Sequence, residues 1–171
     1  MTQPLKRILL FCGLLVFLFA AELAEPVQVG LIEPFTALIA KISASLIQLF
    51  DSSVTSQGIV IRDTENNAAV AIQPGCNGVE AMIVLTAAVL ACPAPWIYRA
   101  IGLLIGFLAI QALNLVRIIS LFYLLQWNQT FFEWAHLYLW QALIILDALI
   151  VFVLWLRMLP PEPYPPTEAH A

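Results

Sequence analysis

A cysteine flanked by two glycines heads an apolar run, in Pro74-Gly75-Cys76-Asn77-Gly78-Val79-Glu80. The residues that follow predict a helix, so Cys76 stands at its start. A helix N-terminus carries partial positive charge and favours a thiolate over a thiol. Gly75 and Gly78 allow unusual backbone angles and the close approach of a peptide. Asn77 as N-cap, with Glu80 three residues on, forms a capping-box pattern. It predicts that the Glu80 side chain reaches back to the Asn77 N–H, fixing the helix start and with it Cys76. Glu80 also adds negative charge near the thiol, which works against ionisation.

Two further residues have the chemistry to act with a thiol. Arg117 lies in Asn114-Leu-Val-Arg-Ile-Ile, and His136 in Phe131-Phe-Glu-Trp-Ala-His-Leu-Tyr-Leu-Trp. Each has a plainer reading. An arginine in an apolar segment can snorkel to headgroups, and a histidine in an aromatic belt can be a polar cap. Depth argues for more. Helical rise puts Cys76 about 25 Å from Pro93, Arg117 about 27 Å from Arg99, and His136 about 31 Å from Arg157. The hydrocarbon core is about 30 Å thick, so the three arrive at one level on three segments. A histidine beside the thiol would raise its thiolate fraction and later protonate a leaving amine. The arginine would hold a tetrahedral oxyanion or a substrate carboxylate. Such a group suits acyl transfer at a peptide bond.

The elements that must carry these residues are membrane segments. Of 171 residues, 62% are hydrophobic and 11% charged, where a soluble domain averages about 25% charged. Mean hydropathy is +0.93. The net charge of −4 argues against a nucleic-acid surface. Cys12, Cys76 and Cys92 have no metal-ligand spacing, and neither a metal nor a cofactor is expected.

Lys6-Arg7 precede an apolar stretch, Ile8 to Ala21, read as an uncleaved anchor within residues 1–24. Residues 25–73 are less apolar. Leu31 to Phe50 repeats at helical spacing but is interrupted by Glu33, Lys41 and Gln48, which predicts an amphipathic interfacial helix. Gly58 to Asp63 and Ala68 to Gln73 flank Thr64-Glu-Asn-Asn and predict a small extracytoplasmic β-hairpin. Residues 74–157 hold three further spans, Val79 to Cys92, Ala100 to Leu125 and Leu137 to Leu156. Residues 158–171 are a proline-rich cytoplasmic tail expected to be disordered. The predicted fold is therefore an all-α polytopic membrane protein with about four transmembrane helices. With the N-terminus inside, Lys6, Arg7, Arg99 and Arg157 all fall on the cytoplasmic side, as the positive-inside rule requires. Making Leu31 to Phe50 a fifth span would turn Arg99 and Arg157 outward. Asp147, too deep to meet the three, is expected to pack against Gln111 or Asn114. Gly102-x-x-x-Gly106 suggests a helix-packing face.

The cysteine in Gly-Cys-Asn-Gly, the arginine in Asn-x-x-Arg and the histidine ahead of the last span resemble the exosortase/archaeosortase family. The resemblance runs from about Gln73 to Leu156 and is most like the small exosortase H type. It implies a bacterial inner-membrane cysteine transpeptidase or protease acting on membrane-tethered proteins with a C-terminal sorting signal. By it, Cys76 is the nucleophile, Arg117 stabilises the oxyanion or positions substrate, and His136 is the general acid/base. Asn77, Gly75, Gly78, Glu80 and Asn114 support them, and the site faces the extracytoplasmic side. The competing readings are a non-enzymatic membrane assembly subunit, bound through Arg117, Asp147 and the aromatic belt, and a thiol redox protein.

Overall fold

The computed structural model describes residues 3–160. Five helices and a small sheet follow in the order α1 (Gln3–Glu22), α2 (Glu25–Ile47), β1 (Val54–Gln57), β2 (Val60–Asp63), β3 (Ala69–Ala71), α3 (Val79–Ala91), α4 (Trp96–Trp127) and α5 (Gln129–Met158). Sequence chemistry sets several boundaries. Pro93 and Pro95 separate α3 from α4, because proline donates no N–H and bars the helical conformation from the residue before it. At the start of α5 the Asn128 side chain accepts from Phe131 N at 3.1 Å, an N-cap. Two π-turns interrupt the helices, Gln28–Ile32 in α2 and Ala135–Leu139 in α5.

Two apolar cores stack along α4. At the sheet end, Ile39, Ala44 and Ile47 of α2 meet Val54, Ile61 and Ile72 of the sheet region and Ile118 and Phe122 of α4. At the opposite end, Leu85 and Val89 of α3 pack with Ile110 of α4 and with Ile144, Ala148 and Trp155 of α5. Helix α1 lies against α3. Its basic start shares an end with Arg99, since Arg7 and Arg99 both lie within electrostatic reach of Cys92. The Gly102–Gly106 face is a packing face: a Cβ on Gly102 would sit 2.3 Å from the Trp155 ring, and one on Gly106 2.3 Å from Leu85. Outward, Leu104, Leu108, Ile145, Leu149 and Leu154 remain exposed, as a bilayer-facing surface requires.

The sheet is antiparallel in the order β1-β2-β3. The expected hairpin is β2 and β3, with Ile61 opposite Val70. Strand β1 was not foreseen: it is four residues of Val-Thr-Ser-Gln without clear alternation of apolar side chains.

Four helices are long and apolar enough to cross a membrane, α1, α2, α4 and α5. The expected count holds, but the membership differs. Helix α3 has only 13 residues, whereas α2 extends the expected Leu31–Phe50 helix back to Glu25 and reaches 23 residues. The π-turn Gln28–Ile32 lies just ahead of Pro34, and the helix runs on through both. Helix α2 packs on β1, β2 and α4. The fold is an all-α polytopic membrane protein with a small three-stranded sheet. Most of the expected disordered tail lies outside the described residues. Its first residue, Met158, closes α5.

Candidate active site

A polar layer separates the two cores. Asn77, Asn114 and Arg117 are buried within it, and Gln111 Nε2 donates to the Asn77 carbonyl at 3.1 Å. Asn77 Nδ2 in turn donates to Thr36 Oγ1 of α2 at 3.1 Å. The segment before α3 is thereby held from both sides. Thr36 has no sequence signal beyond a hydroxyl on a helix. Gln111 was visible as a break in an apolar run, but its partner is this loop.

The loop departs from the expected capping box. The N-cap is Gly78, at φ 79°. Asn77 Oδ1 accepts from Val79 N at 3.1 Å, an Asx-type turn. Glu80 reaches further back than expected: its carboxylate accepts from Gly75 N, not Asn77 N. Gly75 also has positive φ, 85°, and left-handed turns at both glycines fold the loop tightly enough to expose the Gly75 N–H to Glu80. A Cβ on Gly78 would lie 2.8 Å from Gln111 Nε2.

Cys76, Arg117 and His136 meet at this loop. Arg117 Nη2 donates to Cys76 Sγ at 3.4 Å, and Nη1 to the Gly75 carbonyl at 3.3 Å. The Cys76 sulfur lies 3.9 Å from His136 Nε2. The three come from a loop, from mid-α4 and from the π-turn of α5. His136 is thus inside a continuous helix, not ahead of the last span. The wider turn shifts the helical phase at this residue, and π-turns recur at functional sites. Its ring stacks on Phe132 at 5.7 Å between centroids. Nδ1 of His136 and Nε of Arg117 are buried without partners among the described residues.

Asn114 and Asp147 complete the accounting. Asn114 Nδ2 donates to Gln111 Oε1 at 3.4 Å, so it supports the Gln111 tether and does not touch the thiol. Asp147 makes no hydrogen bond to Gln111 or Asn114, and its Oδ2 is buried and unpartnered. Gln111 and Asn114 bond instead to the Asn77 carbonyl and to each other.

The helix-start argument predicts a thiol shifted toward thiolate. Burial instead pushes the Cys76 thiol up, Arg117 draws it back, and Glu80 raises it. Gly78 and not Cys76 caps α3, so the cysteine stands off the axis end where the dipole acts most strongly. Burial and Glu80 thus favour the thiol form of the sulfur, and His136 Nε2 stands 3.9 Å from it.

A cavity of about 140 Å³ opens over the sulfur, bordered by β3, Cys76, Arg117, Phe132 and His136. A larger apolar one of about 500 Å³ lies on the other side of the loop, among α1, α3 and α5. No group of three or more metal-ligating side chains occurs among the described residues.

No curated protein and no solved structure matches the chain. A family model described as transmembrane exosortase matches residues 2–160. With that match over nearly its whole length, and with its bundle of long apolar helices, the chain belongs to the transmembrane exosortase family.

Proposed function

We propose that this chain is a membrane cysteine transpeptidase or protease that cleaves the C-terminal sorting signals of exported proteins. The observation that carries the reading is the position of Cys76 Sγ, 3.9 Å from His136 Nε2 and 3.4 Å from Arg117 Nη2. In a resting enzyme such a nucleophile–base distance is commonly looser than in the reacting complex.

The reaction has two halves. His136 Nε2 takes the Cys76 proton as sulfur attacks the substrate carbonyl carbon. The carbonyl π electrons move to oxygen, and Arg117 holds the resulting oxyanion. Collapse breaks the C–N bond, the imidazolium returns the proton to the leaving amine, and a thioester remains on Cys76. An amine, a hydroxyl of a glycan or lipid, or water then attacks the thioester and restores the thiol.

The positive-inside pattern of Lys6, Arg7, Arg99 and Arg157 supports reading both termini as cytoplasmic. On that reading, and by the family's character, the site faces the extracytoplasmic side of a bacterial inner membrane. There it meets substrates still held by a C-terminal membrane helix. The experiment is processing of an exported reporter with a sorting tail. Cys76→Ala and Cys76→Ser should insert normally and abolish cleavage. Normal cleavage by both would overturn the reading.

A further inference from the structure

The two edges of the sheet are not equivalent. On β1, Thr64 N donates to Ser53 O at 3.0 Å, so Ser53 and Thr55 face β2 and Val54 faces out. The outward Val54 carbonyl is closed off by Gln48 Nε2 of the α2–β1 connection at 2.7 Å. On β3, Asp63 N donates to Ala68 O, and Ile72 N to Ile59 O, both at 2.9 Å. Alternation then directs Ala68, Val70 and Ile72 toward β2, and turns the N–H and C=O of Ala69 and Ala71 outward. Among the described residues no hydrogen bond reaches those outward groups. Both residues are exposed.

This open edge leads into the candidate active site. Ala71 and Gln73 border the same 140 Å³ cavity as Cys76, Arg117 and His136. Cys76 N donates to Gln73 O at 2.9 Å, which ties the end of the strand to the loop bearing the sulfur. An unpaired edge is a template for another strand, and proteins ordinarily close such edges. The β1 edge is capped at Val54 by Gln48, whereas nothing among the described residues caps the β3 edge, the one that borders the thiol's cavity.

We propose that the free edge of β3 binds the substrate. The extended peptide segment ahead of the substrate's membrane helix adds as a fourth strand, bonding to the N–H and C=O of Ala69 and Ala71. It carries its scissile carbonyl past Gln73 to Cys76. Recognition through main-chain groups tolerates many side chains but requires an extended segment. The inference rests on the acyl-transfer reading, because it assigns the substrate of that site.

The test uses the full chain in membranes and a reporter protein with a C-terminal sorting tail. Ala69→Pro and Ala71→Pro remove the outward N–H groups while leaving the bonds to β2 intact. Each should cut processing about tenfold, the effect of losing one well-formed hydrogen bond. Maleimide labelling of Cys76 should be retained and shows that the site is still built. The second arm does not depend on the proline variants folding. Cysteines are scanned through the reporter segment against Ala69→Cys in a Cys76→Ser chain. Disulfides should form at alternate reporter positions, the period of a strand. Processing unchanged in both proline variants, or crosslinks without a two-residue period, would overturn the docking edge alone. A native chain that leaves the reporter uncut would overturn the acyl-transfer reading and this inference with it.

Discussion

Arg117 Nη2 lies 3.4 Å from Cys76 Sγ, so a fixed positive charge faces the sulfur before any substrate arrives. It acts against burial, which pushes the thiol up. The two effects yield a first prediction. Alkylation of Cys76 by iodoacetamide should climb with pH, with its midpoint above the ordinary thiol value of about 8.5. Arg117→Gln removes the attraction for the thiolate, so the midpoint should move higher and labelling at fixed pH should slow. Faster labelling in this variant would show that the guanidinium does not stabilise the thiolate.

Glu80 has two separable effects, one electrostatic and one structural. Its charge raises the Cys76 thiol, and its carboxylate accepts from Gly75 N. Glu80→Gln keeps an acceptor oxygen and removes the charge, so the alkylation midpoint should fall. Glu80→Ala also loses the tether, at about 0.5–1.5 kcal/mol for an exposed hydrogen bond. Reporter processing should drop in Glu80→Ala well below Glu80→Gln. Equal processing in the two would dismiss the tether.

Gly78 combines a left-handed φ of 79° with a Cβ direction 2.8 Å from Gln111 Nε2. Gly78→Ala should therefore cost about 1–3 kcal/mol of local strain and displace Gln111 from the Asn77 carbonyl. The expected outcome is an inserted protein with processing reduced about fivefold or more, since the range begins near about 1 kcal/mol and about 1.36 kcal/mol is one decade. Wild-type processing with an unchanged melting temperature would refute it.

How much of this arrangement was legible in the sequence varies by element. Helical rise alone brought Cys76, Arg117 and His136 to one depth, because the proline break at Pro93 and the basic residues Arg99 and Arg157 mark span ends. Their lateral closeness was not legible, since it depends on how α4 and α5 pack and on the phase shift of the π-turn. The Glu80 bond was misassigned by sequence spacing because the capping box presumes Asn77 as N-cap, and the left-handed Gly78 takes that position. Strand β1 escaped because polar Thr55, Ser56 and Gln57 are ordered by pairing with β2, a tertiary effect. Helix α2 was read as starting at Leu31 because the apolar repeat begins there, whereas the helix extends back to Glu25 through a π-turn that carries no apolar periodicity.

Packing at the opposite end of α4 can be tested apart from the chemistry. A Cβ on Gly102 would stand 2.3 Å from Trp155 Cδ1, and the indole is anchored by its Nε1–H donating to Tyr98 O at 2.8 Å. Gly102→Ala should destabilise the bundle by about 1–3 kcal/mol, the usual cost of overpacking. The readout is the melting temperature in detergent. An unchanged value would mean that the ring moves freely.

The sheet should respond to acid through Asp63. The Glu65 backbone N–H, with help from the Ser53 hydroxyl, holds its carboxyl below the usual carboxylate value. A depressed folded value stabilises the sheet above the unfolded pKa of about 3.9, and that contribution is lost as pH falls through the lower folded value. Hydrogen exchange of β2 and β3 amides should thus accelerate on acidification below about pH 4. Asp63→Asn should flatten that dependence. An equally steep acid response in this variant would assign it to another group.

Helix α3 begins at Val79, directly after the loop that bears Cys76, and runs for 13 residues, about 20 Å at helical rise. A bilayer core of about 30 Å must thin, or the helix must be drawn inward, wherever lipid meets it. Lipid chain length should therefore bear on the proposed processing activity. Thicker bilayers would enlarge the mismatch at α3 and lift the headgroup plane past the thiol, while thinner ones would bring the plane level with it. A reconstituted series of increasing acyl-chain length should accordingly shift reporter processing without any change in the protein.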